Sequence, residues 1–148
     1  ISYNLLSGVQ ITTNAVTMTN NTIYGNTVSG IEINAADNTI LTSNNISNQT
    51  NGILNINSNI TTTNNTFFNN TYSFVEIINT STHSLTIIGD LFLPDNGIFQ
   101  NYSNISVTDS NISTVNYFLD WAAQPVPDPL LPLNTVYDVC KSFTDISS

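Results

Sequence analysis

Very few side chains in this sequence could carry acid–base or nucleophilic chemistry. Residues 1–89 contain three acids, Glu32, Asp37 and Glu76. Glu32 and Glu76 are 44 residues apart, two steps of a 22-residue repeat described below. At ~4.8 Å per step of a parallel stack they would lie roughly 10 Å apart. Hydrolytic carboxylate pairs sit at ~5–9.5 Å, so the spacing is marginal. Neither has a basic partner, because the chain holds one lysine, Lys141, and no arginine. Asp109 belongs to a set of seven acids spread along the remainder. His83 is the single histidine and Cys140 the single cysteine, and no metal-ligand spacing is present. The expectation is therefore a protein with no catalytic residue, no cofactor and no metal. Asp109, Glu32 and Glu76 are the acids an enzyme would have to use.

The abundant polar groups are neutral. Asparagine occurs 25 times, threonine 21 and serine 16, while charged residues make up 7% of the chain. Ten N-x-S/T sequons are present, against roughly six from composition alone. Asn20, Asn45, Asn59, Asn64, Asn69, Asn79, Asn101, Asn104 and Asn111 are the glycosylation candidates. The tenth, Asn48, falls in a repeat column that could turn it inward. Thr17, Thr39 and Thr61 step by 22 as well. Such a row on a flat face can bind ice or sugar, but high β-propensity on an exposed strand accounts for it as well.

Net charge is −9. Affinity for nucleic acid comes from Lys and Arg displacing counterions, so nucleic acid is excluded as a partner. Anionic membranes and polyanions are disfavoured for the same reason. No apolar run approaches the ~20 residues of a membrane span. A lone cysteine makes no internal disulfide, which leaves a small apolar residue or a link to a neighbouring chain.

The elements that would position these groups come from the repeat. "NLLSGVQI" begins at Asn4, "NTVSGIEI" at Asn26, "NQTNGILN" at Asn48 and "NTYSFVEI" at Asn70. One column reads Asn4, Asn26, Asn48, Asn70, and another Gly8, Gly30, Gly52, Phe74. Val9, Ile31, Ile53 and Val75 follow, then Gln10, Glu32, Leu54 and Glu76, then Ile11, Ile33, Asn55 and Ile77. Apolar–polar–apolar alternation is the period of a strand with one face buried. A 22-residue unit has no room for a helix pair, and β-branched residues abound. The spacing predicts an all-β parallel solenoid of about five 22-residue coils, with like residues stacked on like. The asparagine column suits a hydrogen-bonded ladder, since an amide both donates and accepts. The glycine column suggests positive φ before each strand, with a change of turn at Phe74.

With "SGVQI", "SGIEI" and "NGILN" and the intervening "NNTI" and "NNIS", the chain resembles the right-handed parallel β-helix family. That family includes surface solenoids, polysaccharide lyases and phage tailspikes. The resemblance covers residues 1–115 and implies fold far more than function. A leucine-rich repeat shares the period but not the frame, and an asparagine-rich β-sandwich is the alternative architecture.

Residues 116–148 form a second segment. Proline at Pro125, Pro127, Pro129 and Pro132 forbids regular helix or a central strand there. This segment either caps the last coil or reaches a neighbouring subunit, with Trp121, Leu130, Leu131, Val136, Tyr137 and Cys140 as the assembly candidates. Because Ile1 opens directly into a coil, a head-to-tail contact that does not close would build a fibre. The functional expectation is an extracellular or cell-surface structural subunit that polymerises with copies of itself and carries glycans. The competing expectation is a carbohydrate-binding or polysaccharide-processing β-helix.

Overall fold

The computed structural model describes residues 1–77, 84–101, 104–108, 110–114, 119–120, 135–138 and 142–143. The chain coils through three parallel sheets. The first turn comprises β1 (Ser7–Ile11), β2 (Thr17–Thr19) and β3 (Thr22–Tyr24). The second comprises β4 (Ser29–Asn34), β5 (Thr39–Thr42) and β6 (Asn45–Ser47), and the third β7 (Asn51–Ile56), β8 (Ile60–Thr63) and β9 (Thr66–Phe68). The fourth starts with β10 (Tyr72–Ile77) and β11 (Ser84–Ile88), and β12 (Leu91–Asn101) closes it and opens the next. β13 (Asn104–Thr108), β14 (Asn111–Thr114), β15 (Leu119–Asp120), β16 (Thr135–Asp138) and β17 (Ser142–Phe143) continue the three sheets.

Among the described strands every pairing is parallel, between one turn and the next. The first sheet runs β1–β4–β7–β10–β12. The second runs β2–β5–β8–β11–β13–β16. The third runs β3–β6–β9–β12–β14. The architecture is thus the expected all-β parallel solenoid, with about four turns rather than five. Val136 and Tyr137 stand in β16, which pairs with β13 of the same chain and so extends its own stack.

The step between turns departs from a uniform 22, and this moves whole columns. From β7 to β10 it is 21, because Phe74 pairs with Ile53 and Val75 with Leu54. The interior row is therefore Val9–Ile31–Ile53–Phe74, with Phe74 in the place the repeat assigns to Val75. Phe74 is buried, while Val75 is only half-buried. A one-residue slip reverses which residues face inward, so the larger apolar side chain takes the core. Phe74 packs with Phe67 and Phe92, the Phe67 centroid lying 4.8 Å from Phe74 and 5.1 Å from Phe92. The interior continues as Ile23–Ile46–Phe67–Phe92 on the third sheet and Met18–Leu41–Thr62–Ile87 on the second.

The glycine column has a steric cause. Gly8, Gly30 and Gly52 lie within strands, and the left-handed glycines are Gly25 and Gly89. A Cβ on Gly30 would meet Gln49 Nε2 at 2.5 Å and the Gly52 carbonyl at 2.7 Å. Gly8 and Gly30 thus make room for the Asn26 and Gln49 amides, and Gly52 for the Ser73 carbonyl and the Phe67 ring, rather than supplying positive φ.

The register yields a direct test. Phe74→Ala should cost about 3–5 kcal/mol, as for a large buried aromatic, whereas Val75→Ala should cost about 1 kcal/mol or less. Urea unfolding of both variants measures this, and the reverse order would restore the uniform repeat.

Candidate functional site

Each corner of the coil carries a ladder of amides. At the corner between the third and first sheets, Asn4 donates from its backbone N–H and Nδ2 to Asn26 Oδ1, at 3.2 and 2.9 Å. Asn26 Nδ2 donates to Gln49 Oε1 at 3.1 Å, and the Gln49 backbone N–H donates to Asn70 Oδ1 at 3.4 Å. The ladder therefore reads Asn4–Asn26–Gln49–Asn70. Asn48, which the 22-step placed in this column, lies outside it. It is exposed at φ 58°, in a left-handed column with Tyr3, Gly25 and Asn69. Asparagine tolerates that conformation better than most residues, so the chain spends Asn48 on the turn and inserts Gln49 in the ladder.

A second ladder, Asn21–Asn44–Asn65–Asp90–Ser110, joins the second and third sheets. The first four rungs each follow a residue at positive φ, namely Asn20, Ser43, Asn64 and Gly89. Its steps are irregular, which hid it from a search at 22, but the signal of a turn residue followed by an amide was present. A third ladder runs Asn14–Asp37–Asn59–Ser84 with the opposite polarity, each later turn donating to the earlier one.

Outside the third-to-first corner lies an open trough of about 390 Å³ spanning three turns. Gly25, Thr27, Asn48, Thr50, Asn69 and Thr71 form its rim, over Asn26 and Gln49. No ionisable side chain lines it. Asn69 Nδ2 donates to Asn48 Oδ1 at 2.7 Å, and the Thr50 hydroxyl donates to the Thr27 carbonyl at 3.0 Å. Phe68, 45% exposed, adjoins it on the third sheet, two turns from Tyr24 in the same column. The trough can offer amide and hydroxyl hydrogen bonds.

The remaining expected residues disperse. Glu32 pairs with Gln10 and Leu54, whereas Glu76 pairs with Asn55, so the two acids occupy neighbouring columns rather than one. The Glu32 carboxylate accepts from Ser7 Oγ at 2.7 Å and Gln10 Nε2 at 3.3 Å. Thr17, Thr39 and Thr61 do not form a row. Thr17 aligns with Ile40 and Thr61, while Thr39 is buried and aligns with Ile60. The outward residues of the second sheet are instead Thr17–Ile40–Thr61–Thr86 and Thr19–Thr42–Thr63–Ile88. Among the sequons, Asn20, Asn45, Asn48, Asn64 and Asn69 are exposed, and Asn59 is partly buried in the third ladder. The side chains of Asn101, Asn104 and Asn111 lie outside the described residues, as do Asn79, His83, Asp109, Trp121, Leu130, Leu131 and Cys140 altogether. Among the described residues no three His, Cys, Asp or Glu side chains come together. No described helix is long and apolar enough to cross a membrane.

Sequence reasoning gave no role to Asp90, a carboxyl buried within an amide ladder. Its Oδ1 accepts from Asn65 N–H at 2.7 Å and from Asn65 Nδ2 at 3.2 Å. In the preceding turns the ladder Nδ2 donates to a second-sheet carbonyl, Met18 O or Leu41 O. Asp90 offers an oxygen, Oδ2, in place of that donor. Oδ2 and the nearby Thr62 hydroxyl are both buried and fall short of hydrogen-bond geometry. Burial pushes the Asp90 carboxyl up to about 6, against smaller opposing effects from Thr62 and Asn65.

A carboxyl whose folded pKa exceeds its unfolded value stabilises the fold while protonated. That contribution is complete below about pH 3.8 and is lost as pH rises through about 6. It amounts to about 3 kcal/mol. Wild-type stability should therefore fall between pH 4 and 7. Asp90→Asn, which restores the donor, should unfold at higher urea at pH 7 and flatten this profile. Equal pH slopes in the two proteins would refute the assignment.

A family model described as "right handed beta helix region" matches residues 1–112. No curated protein and no solved structure matches the chain.

Proposed function

The chain belongs to the right-handed β-helix family, and we propose that it is a non-catalytic structural module of an extracellular or cell-surface glycoprotein that associates end to end with copies of itself. The observation that carries this reading is the continuity of the stack. Three corner ladders and the interior rows run along the coil axis through successive turns. Each turn meets the next through parallel strand pairing, so one coil is a template for another. Edge strands with free backbone groups readily accept further strands, and a contact of that kind need not close.

The charge-poor surface supports an extracellular setting in which attached sugars supply solubility. Five described sequon asparagines are exposed. The placing of Glu32 and Glu76 in neighbouring columns rather than one supports the non-catalytic reading. Negative-stain microscopy and sedimentation of the full chain test the association. Elongated particles that lengthen with concentration are expected, whereas a chain that remains monomeric at high concentration removes the polymer from the reading.

The trough favours a second reading, a binding face for an uncharged polysaccharide. Its amides and hydroxyls suit neutral sugar, and its lack of cations, with a net charge of −9, disfavours acidic chains. In chain produced without glycan, where the Asn48 and Asn69 sequons have no effect of their own, Thr27→Val, Thr50→Val and Thr71→Val keep the branched shape and remove one hydroxyl each. Each should weaken binding of a neutral hexasaccharide about five- to tenfold in calorimetry, with an oligogalacturonate as the anionic control. Unchanged affinity in all three variants, or preference for the anion, would remove the trough from consideration.

A further inference from the structure

The sequons differ sharply in what their side chains are doing. Asn20 and Asn64 are exposed on the left-handed column at the second-to-third corner. Asn45 is exposed on the outer row of the third sheet, between Thr22 and Thr66. Among the described residues, the amide nitrogens of these three donate no hydrogen bond. Asn59 is occupied at both ends of its amide. Its Nδ2 donates to Asp37 Oδ1 at 3.0 Å, and its Oδ1 accepts from Ser84 N–H at 2.8 Å and from Ser84 Oγ at 3.1 Å. Asn48 and Asn69 form a third case. They stand in one column on successive turns, ~4.8 Å apart, joined by the Asn69 Nδ2 to Asn48 Oδ1 bond.

We propose that the folded stack sorts its own sequons: Asn20, Asn45 and Asn64 carry glycan, Asn48 and Asn69 exclude each other on any one molecule, and Asn59 stays bare. The proposal rests on the extracellular glycoprotein reading and specifies its sites.

The chemistry requires an accessible amide nitrogen. In N-glycosyl transfer from a lipid-carried sugar phosphate, Asn Nδ2 attacks the anomeric carbon. The new C–N bond forms as the bond from that carbon to the phosphate oxygen breaks. The phosphate leaves with the electron pair, and one Nδ2 proton passes to base. Asn59 cannot present its nitrogen this way without opening the third ladder at Asp37 and Ser84. At Asn48 and Asn69, a first glycan fills the shared trough and denies the neighbouring nitrogen an approach. The exposed sites lie on the third sheet and its two corners. Over β2, β5, β8 and β11 the outer threonine and isoleucine rows of the second sheet hold no sequon asparagine.

Intact-glycopeptide mass spectrometry of the native protein tests this, using a protease suited to a chain with one lysine and no arginine. Sugar is expected on Asn20, Asn45 and Asn64. On peptides spanning residues 48–69, which also contain Asn64, sugar should sit on Asn64 and on at most one of Asn48 and Asn69, never on both. Asn48→Gly and Asn69→Gly suit the left-handed turn, as Gly25 does in the same column, so both variants should fold. Each should drive occupancy at the remaining asparagine up at least twofold. Sugar on both Asn48 and Asn69 of one peptide, sugar on Asn59, or bare Asn20, Asn45 and Asn64 on a chain glycosylated elsewhere would each overturn the sorting alone. A chain with no sugar at all would overturn the glycoprotein reading and the sorting with it.

Discussion

The fold depends on one repeated hydrogen bond, from a backbone N–H at a corner to the side-chain oxygen of the adjacent turn. A coil must bend between its sheets, and at each bend backbone groups leave the strand ladder. Buried backbone donors left unpaired cost free energy comparable to a lost hydrogen bond. Asn44 N–H meets Asn65 Oδ1 at 2.8 Å, and Asn65 N–H meets Asp90 Oδ1 at 2.7 Å. Asn59 N–H meets Asp37 Oδ1 at 2.9 Å. The composition follows from this demand. Asparagine accepts through Oδ1 and still donates through Nδ2, so one residue type can fill a column indefinitely without accumulating charge.

The ladder also accounts for two features at first unrelated. Gly8 and Gly30 admit the amide side chains, as the 2.5 Å approach of a Gly30 Cβ to Gln49 Nε2 indicates. The left-handed residues before the ladder positions turn the chain so that the next amide reaches its neighbour. Gly25, Asn48 and Asn69 do this at one corner, and Asn20, Ser43, Asn64 and Gly89 at another. Asp90 is the exception that exposes the rule. It accepts as an asparagine does but cannot donate while ionised, and burial answers by raising its pKa.

Much of the candidate site was legible and some was misplaced by one residue. The Asn4, Asn26 and Asn70 column was visible as a 22-step, and the register of β1, β4 and β7 matches it. Asn48 and Gln49 were interchanged because a uniform step cannot register a turn that gains a residue and a strand entry that loses one. The same slip carried Val75 into the core in place of Phe74, and Glu76 into the column of Glu32. The Asn21–Asn44–Asn65 ladder went unseen because its spacing varies while its local signal, a left-handed residue followed by an amide, does not. The trough was not legible, because its rim collects residues from three turns.

The sequence by itself determined the architecture. Alternating β-branched residues, recurring amides and a repeat too short for helix pairs leave a parallel stack as the structure that buries the apolar rows. It also determined the near absence of cations, and with that the classes of partner the surface disfavours. The tertiary structure decided the register, because only packing chooses which of two adjacent residues fills the interior. Phe74 prevails over Val75 by apolar area and by contact with Phe67 and Phe92. It decided, too, which identical sequons differ, since Asn59 and Asn20 are the same residue in the same motif. One amide is held by Asp37 and Ser84, the other is left to solvent, and only neighbours from other turns make that distinction.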